Sequence, residues 1–379
     1  MTILMVLAML AAQTPPPSPA PPRARDLGIP FDFGSPGAHN AITDVPGVEV
    51  GHVTLIEGDA VRTGVTAVLP RGRGDDGLKP AFAGYYSLNG NGEMTGIAWL
   101  EEAGVLEGPV LITNTNAVGV IRDAVIQYAH QRWGSREGWS DAIWSLPVVA
   151  ETWDGTLNDI YGGHVKAEHA RQAIEAARPG PVTEGAVGGG TGMICYEFKG
   201  GIGTASRLLA QRDGGYTVGV LVQANFGLRH QLRIAGLPVG LELRDNLQYS
   251  KAEVGSIIIV VATDAPLLPH QMKRLARRAA LGLARTGSVA GNGSGDLFVA
   301  FSTASTGGGD GKGPVTVSTL PNDLAGPLFE ATVGATEEAI VNALVAARTM
   351  TGKDGKTVHA LPHDRLREIL RRHGRLAPK

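Results

Sequence analysis

Ser256 stands where a serine would need unusual help to act. It follows Gly255, at the join between the polar segment 244–253 and the apolar run 257–262. A serine hydroxyl is a poor nucleophile unless a base stands beside it. If the Gly255–Ser256 bond breaks, Ser256 becomes a chain terminus, and its α-amine, titrating at about pH 7.7–8.0, supplies that base from the same residue. Glycine in front tolerates backbone conformations that other residues avoid and puts no side chain beside the carbonyl that Ser256 must attack. The same pair also makes an ordinary turn ahead of a buried strand. The junction by itself leaves both readings open.

Three more polar clusters sit at the ends of apolar runs. Glu151-Thr-Trp-Asp-Gly-Thr-Leu-Asn-Asp159 directly follows the run 146–150, so carboxylates emerge where a strand stops. Asn225 ends the mostly apolar run 219–224, and its amide is suited to donate to an oxyanion. Gly291-Asn-Gly-Ser-Gly-Asp296 precedes the run 297–302 and places Ser294 and Asp296 at another strand tip. Each cluster alone would serve as a turn or a cap. Taken with Ser256 they comprise a nucleophile, an oxyanion donor, a hydroxyl–carboxylate pair and an anionic anchor.

Other chemistries lack their residues. The run Gly185-Ala-Val-Gly-Gly-Gly-Thr-Gly192 has neither the G-x-G-x-x-G nor the G-x-x-x-x-G-K spacing, and reads as the turn-rich wall of a pocket. Ten histidines include no H-E-x-x-H pair, and no close His/Cys grouping matches a zinc site, so neither metal nor cofactor is expected. Cys195 is the only cysteine, which excludes an intrachain disulfide; Ile194 and Tyr196 beside it indicate a buried strand residue. A net charge of −2 gives no electrostatic case for nucleic acid or an anionic membrane.

These clusters need a layered scaffold. The chain has 379 residues, 43% of them apolar and 18% charged, the balance of a globular protein with a sizeable core. Strands are expected at 66–69, 110–113, 146–150, 216–224, 256–262 and 297–302, interleaved with helices at 117–133, 165–178 and 268–283. A further helix is expected to start at Thr336 as its cap, with Glu337 and Glu338 in the first turn and Arg348 in the last, stopping at Gly352. Mixing of this kind without a repeat implies an α/β layered architecture. Residues 23–361 are expected to form one domain, followed by a basic terminal helix and tail at 362–379. Residues 3–12 have the length of a signal-peptide core and precede a proline-rich linker that ends at Pro22, with no lysine or arginine before them. They point to a periplasmic or secreted protein, the alternative being cytoplasmic. The tract 305–313 reads as an exposed hairpin loop.

The chain resembles the L-aminopeptidase D-esterase family, also called the P1 peptidases, which includes the β-peptidyl aminopeptidases. The resembling stretches include Arg25-Asp-Leu-Gly-Ile-Pro, Asn40-Ala-Ile-Thr-Asp-Val-Pro-Gly, Thr113-Asn-Thr-Asn-Ala-Val-Gly, Leu157-Asn-Asp-Ile, Gly255-Ser-Ile-Ile-Ile-Val-Val-Ala-Thr-Asp-Ala-Pro and Glu337-Glu-Ala-Ile. They run in one order from Arg25 to about Met350. The resemblance implies a self-processing hydrolase built as an αββα four-layer sandwich, like the N-terminal nucleophile enzymes in its layers but different in strand connectivity.

It also implies roles for particular residues. Ser256 matches the nucleophile and new N-terminus, with cleavage between Gly255 and Ser256. Asn225 matches the oxyanion-hole asparagine, Ser294 and Asp296 the serine-x-acid pair, and Glu151 the carboxylate that holds the substrate's free amino group. Where aminopeptidase members have a tyrosine as second oxyanion donor, this chain has Trp153, whose indole N–H donates one hydrogen bond but transfers no proton. The implied substrates are short peptides, amides or esters with a free amino group, and the implied assembly is a homo-oligomer of processed two-chain units. Two other readings keep the fold: an acyltransferase of the ornithine acetyltransferase type, and a ligand-binding protein without turnover.

Overall fold

Side-chain alternation along the strand Ser256–Thr263 sorts the molecule into layers. Ile257, Ile259 and Val261 join one apolar cluster, while Ile258, Val260 and Ala262 join another. A strand buried on both faces reads as the unbroken apolar run that it is in the sequence. The computed structural model describes residues 21–134, 146–247, 255–304 and 313–377. The expected signal segment, most of the proline tract, most of the 305–313 tract and residues 248–254 lie outside those residues.

Ser256–Thr263 is an inner strand of a six-stranded sheet, ordered Val105–Leu106, Ala81–Gly90, Gly295–Ser302, Ser256–Thr263, Thr217–Asn225, Gly201–Leu208. It runs antiparallel to Thr217–Asn225 and parallel to Gly295–Ser302. A second sheet has the order Glu49–Glu57, Val61–Leu69, Val110–Asn114, Val148–Thr152. Between the sheets lies a core that includes Val68, Ile112, Ala150, Leu221, Ile258, Val260 and Val299. Helices Pro269–Arg285 and Gly326–Ala346 cover the outer face of the larger sheet, and Val118–Trp133 and Ala167–Ala176 that of the smaller. The layers are therefore αββα, as expected.

The glycine-rich run threads between the two sheets. A Cβ on Gly189 would stand 2.2 Å from Gln223 Oε1, on the larger sheet, and 2.6 Å from the Ile112 carbonyl, on the smaller. Only a residue without a side chain passes there. Segment 91–95 crosses between the sheets as well, with the Asn91 N–H bonded to the Ser294 carbonyl and the Thr95 N–H to the Val149 carbonyl.

The helix expected to begin at Thr336 begins ten residues earlier, at Gly326, and ends at Ala346, so Arg348 lies beyond it. Thr336 is buried in mid-helix, where its hydroxyl donates to the Thr332 carbonyl instead of capping an N-terminus. Glu338 does not face a helix end either. Fully buried, it accepts from both nitrogens of a bidentate Arg25 at 2.7 Å, from Asn40 at 2.6 Å, and pairs with the buried Arg207 at 2.8 Å. Charges that look like capping chemistry in the sequence are the acceptors of long-range ion pairs. The terminal helix His363–Arg372 packs Leu366, Ile369 and Leu370 into the helix-side core. No helix of the described residues is long and apolar enough to cross a membrane.

Burial pushes the Glu338 carboxyl upward, but the Arg25 hydrogen bond and the charges of Arg207 and Arg25 outweigh it, leaving its pKa below the ordinary value. Its stabilising contribution is therefore present above the ordinary carboxylate range and is lost as pH falls through and below it. Glu338→Ala, which strands Arg207 without its counter-ion, is expected to destabilise the protein by about 3–5 kcal/mol. The midpoint of urea unfolding at neutral pH measures it, and a variant as stable as the parent would show the network to be neutral.

Candidate active site

Strand register assembles the site. Asn225 pairs directly with Ser256, and Asp296, on the other side, pairs with Ile257. Sharing the parity of Ile258 and Val260, Ser256 faces the space between the sheets. Its Oγ accepts the Gly295 N–H at 3.0 Å. The residue before it has no room for a side chain, because a Cβ on Gly255 would fall 2.0 Å from the Asn225 carbonyl oxygen. Glycine at 255 is thus required by a close backbone crossing.

Asn225 is fixed at both ends of its carboxamide. Oδ1 accepts the Ile194 N–H at 2.8 Å and Nδ2 donates to the Trp153 carbonyl at 3.0 Å. The backbone N–H can only donate and the carbonyl can only accept, so the amide orientation is determined. That leaves one Nδ2 hydrogen to donate to a ligand oxygen. Ser294 and Asp296 bond to each other, Oγ to Oδ1 at 2.5 Å, and flank the glycine whose N–H reaches Ser256. Both are buried.

Glu151 approaches the same place from the smaller sheet. It is 3% exposed, with Oε1 accepting the Glu93 N–H at 3.0 Å and Oε2 accepting the Thr115 hydroxyl. Gly92 lies between it and the serine's surroundings: a Cβ there would be 3.2 Å from Glu151 Oε1 and 3.2 Å from Gly295 Cα. Burial raises the Glu151 pKa, while the bonds from Thr115 and the Glu93 N–H oppose the rise.

Trp153 meets Asn225 through its backbone. Its main-chain carbonyl, rather than its indole, contacts Asn225, and the ring lies over Gly155. At 41% exposure it is the one predicted residue at the surface, whereas Ser256, Asn225, Ser294, Asp296, Glu151 and Gly255 are buried. The sequence reading missed Thr115 and the N–H groups of Gly295 and Ile194, while Asp154, which belongs to the cluster 151–159, bonds away from the serine. Asp154 is 1% exposed, its pKa raised to about 6 by burial against hydrogen bonds from Thr63, Asn158 and Asn114. Thr115 was detectable, since it lies in the resembling stretch Thr113–Asn116; main-chain donors leave no mark in a sequence. Among the described residues no three His, Cys, Asp or Glu side chains group as metal ligands.

A buried serine, an anchored amide and a buried carboxylate thus lie in one neighbourhood spanning the two sheets. The model for peptidase family S58 matches residues 40–358. The chain belongs to peptidase family S58. Over 94% of its length it is 55% identical to a beta-peptidyl aminopeptidase, BapA of Sphingosinicella microcystinivorans, 93% of which is covered. Among solved structures it is similar to a Burkholderia sp. beta-aminopeptidase, with 50% identity, a TM-score of 0.86, and coverage of 93% of this chain and 99% of that one. It is also similar to the L-aminopeptidase D-Ala-esterase/amidase of Ochrobactrum anthropi, described as a prototype for the serine aminopeptidases and a new variant of the Ntn hydrolase fold. That match has 47% identity and a TM-score of 0.88, covering 94% of this chain and 100% of the other. The family and fold inferred from sequence resemblance hold, and the protein is a hydrolase of the aminopeptidase kind.

The Thr115 hydroxyl opposes the rise that burial imposes on the Glu151 pKa, so its removal has a signed consequence. Thr115→Val is expected to raise the Glu151 pKa further and to move the acid limb of the kcat/KM profile to higher pH. A pH series on an aminoacyl p-nitroanilide reads the shift, and an unmoved acid limb would remove Glu151 ionisation from activity.

Proposed function

We propose that the chain cleaves its own Gly255–Ser256 bond and then, as a two-chain enzyme, releases N-terminal β-aminoacyl residues from short peptides, amides or esters. In the first step Ser256 Oγ attacks the Gly255 carbonyl, the C–N bond breaks, and the nitrogen takes up the hydroxyl proton to become a free amine. Water then hydrolyses the resulting ester. In turnover the Ser256 amine accepts the Oγ proton while Oγ attacks the substrate carbonyl. The free Nδ2 hydrogen of Asn225 meets the oxyanion. The amine passes its proton to the leaving nitrogen or oxygen, and water releases the acyl group. Ser294 and Asp296 support the nucleophile and its amine through the segment that contacts Ser256 Oγ. Glu151 pairs with the substrate ammonium, which a buried carboxylate without a cationic partner is suited to receive. Trp153, whose indole is exposed beside Asn225, contributes to substrate binding from the surface.

The observation that supports this reading is the pairing of Asn225 with Ser256, with Gly255 packed so closely on the Asn225 main chain that no Cβ fits, so the bond to be cut lies beside the residue read as the oxyanion donor. Intact mass spectrometry tests it. The parent is expected to yield a chain starting at Ser256, whereas Ser256→Ala and Gly255→Ala are expected to persist as uncut, inactive chains. An uncut parent with full activity would sink the proposal. Size-exclusion chromatography of the processed protein checks the accompanying proposal that the two-chain units form a homo-oligomer; elution as a single unit would reject it.

The β-aminoacyl preference rests on the two relatives named for it, at 55% and 50% identity. Against a panel of L-α-, D-α- and β-aminoacyl p-nitroanilides, kcat/KM for the β substrate is expected to lead by at least about tenfold, the scale that fit of one methylene gives. An α substrate in the lead would reverse the assignment and leave the hydrolase mechanism standing.

A further inference from the structure

Lys199 is a fully buried lysine that the mechanism above does not use. It ends the hairpin Ile194–Cys195/Phe198–Lys199, whose turn residues Tyr196 and Glu197 have φ of 50° and 61°. Its Nζ donates to three main-chain carbonyls: Met193 at 2.7 Å, Gly200 at 2.9 Å and Gly190 at 3.3 Å. No carboxylate is among these acceptors. Burial pulls the pKa down to about 7, with Cys195 acting in the opposite direction. The three acceptors favour the charged form, because only the protonated amine has a hydrogen for each.

The Met193 carbonyl belongs to the same peptide unit as the Ile194 N–H, and that N–H is the donor that fixes Asn225 Oδ1 at 2.8 Å. The two contacts lie at opposite ends of one planar amide. A cation on the carbonyl oxygen draws charge toward it and makes the N–H across the plane a stronger donor. A stronger bond into Asn225 Oδ1 polarises that carboxamide in turn, so its Nδ2 hydrogens become stronger donors. Anchoring adds to polarisation: with Gly190, Met193 and Gly200 held to one ammonium, the Met193–Ile194 peptide cannot rotate away from Asn225.

We propose that Lys199 is a positioning residue for the oxyanion donor, acting through the Met193–Ile194 peptide to orient and polarise Asn225. This rests on the reading of Asn225 as the group that meets the oxyanion. A double-mutant cycle with Lys199→Gln and Asn225→Ala, measured on chains that begin at Ser256, separates the two claims. Lys199→Gln alone is expected to lower kcat about 10- to 100-fold with KM within about threefold, as for a group acting only in the transition state. In the Asn225→Ala background the same change is expected to cost less than about threefold, because its route has been removed. Losses that multiply, or a Lys199→Gln effect confined to KM, would overturn the role of Lys199 while leaving Asn225 in place. An Asn225→Ala enzyme of normal kcat would overturn the reading of Asn225 and the proposal with it. If Lys199→Gln does not fold, Lys199→Arg decides: it keeps the cation and is expected to hold kcat within about tenfold of the parent. A folded, processed Arg variant as slow as Asn225→Ala, or failure of the Arg variant to fold, would rule against the proposal.

Discussion

The pairing of Asn225 with Ser256 in adjacent antiparallel strands constrains the rest of the site. Residues directly opposite in such a ladder have Cα atoms about 4.5–5.5 Å apart, so Asn225 and Ser256 are brought side by side by backbone geometry before any side chain packs. The requirement for glycine at 255 follows, because the chain entering the strand passes over the Asn225 carbonyl with no space for a Cβ. The parallel neighbour Gly295–Ser302 then brings the Gly295 N–H onto Ser256 Oγ, with Ser294 and Asp296 on either side of that glycine. The smaller sheet contributes Glu151, held near this ladder by the crossing segment 91–95.

The same topology explains why a cut before Ser256 need not separate the pieces. Downstream of that bond lie two inner strands of the larger sheet, Ser256–Thr263 and Gly295–Ser302, and both helices that cover its outer face. Upstream lie the other four strands of that sheet and the whole of the smaller one. Each piece supplies neighbours that the other needs for its ladder hydrogen bonds and its apolar burial. Parting them would expose the core as fully as unfolding does, so the covalent link is dispensable once the sandwich has formed.

How much of this was legible in the sequence depended on which atoms carry the function. Strands buried on both faces announce themselves as unbroken apolar runs, and the polar residue beside each run marks a strand tip; Ser256, Asn225 and Asp296 are legible as neighbouring strand tips in that way. Helix Pro269–Arg285 was legible because its apolar stripe and basic face are local properties. Helix Gly326–Ala346 was misjudged because Thr336, Glu337 and Glu338 imitate an N-terminus locally, while their partners Arg25, Asn40, Arg207 and Arg285 are distant in sequence. Trp153 was singled out for its indole but contacts Asn225 through its carbonyl, a group that every residue has. The Ile194 and Gly295 N–H groups escape sequence reading for the same reason.

The buried carboxylates Glu338 and Glu151 show what separates scaffold from site. Glu338 is closed off: Arg25, Arg207 and Asn40 occupy its oxygens, its pKa is depressed, and nothing remains for it to bind. Glu151 is almost as deeply buried, yet its hydrogen bonds come from neutral donors, an N–H and a hydroxyl, and its pKa is raised. A carboxylate desolvated without a counter-ion is a standing penalty in a folded protein, tolerable where a cation arriving from outside relieves it. The protein keeps that penalty next to a serine and an amide that are themselves held by main-chain groups. Binding of an ammonium group at Glu151 would relieve the penalty.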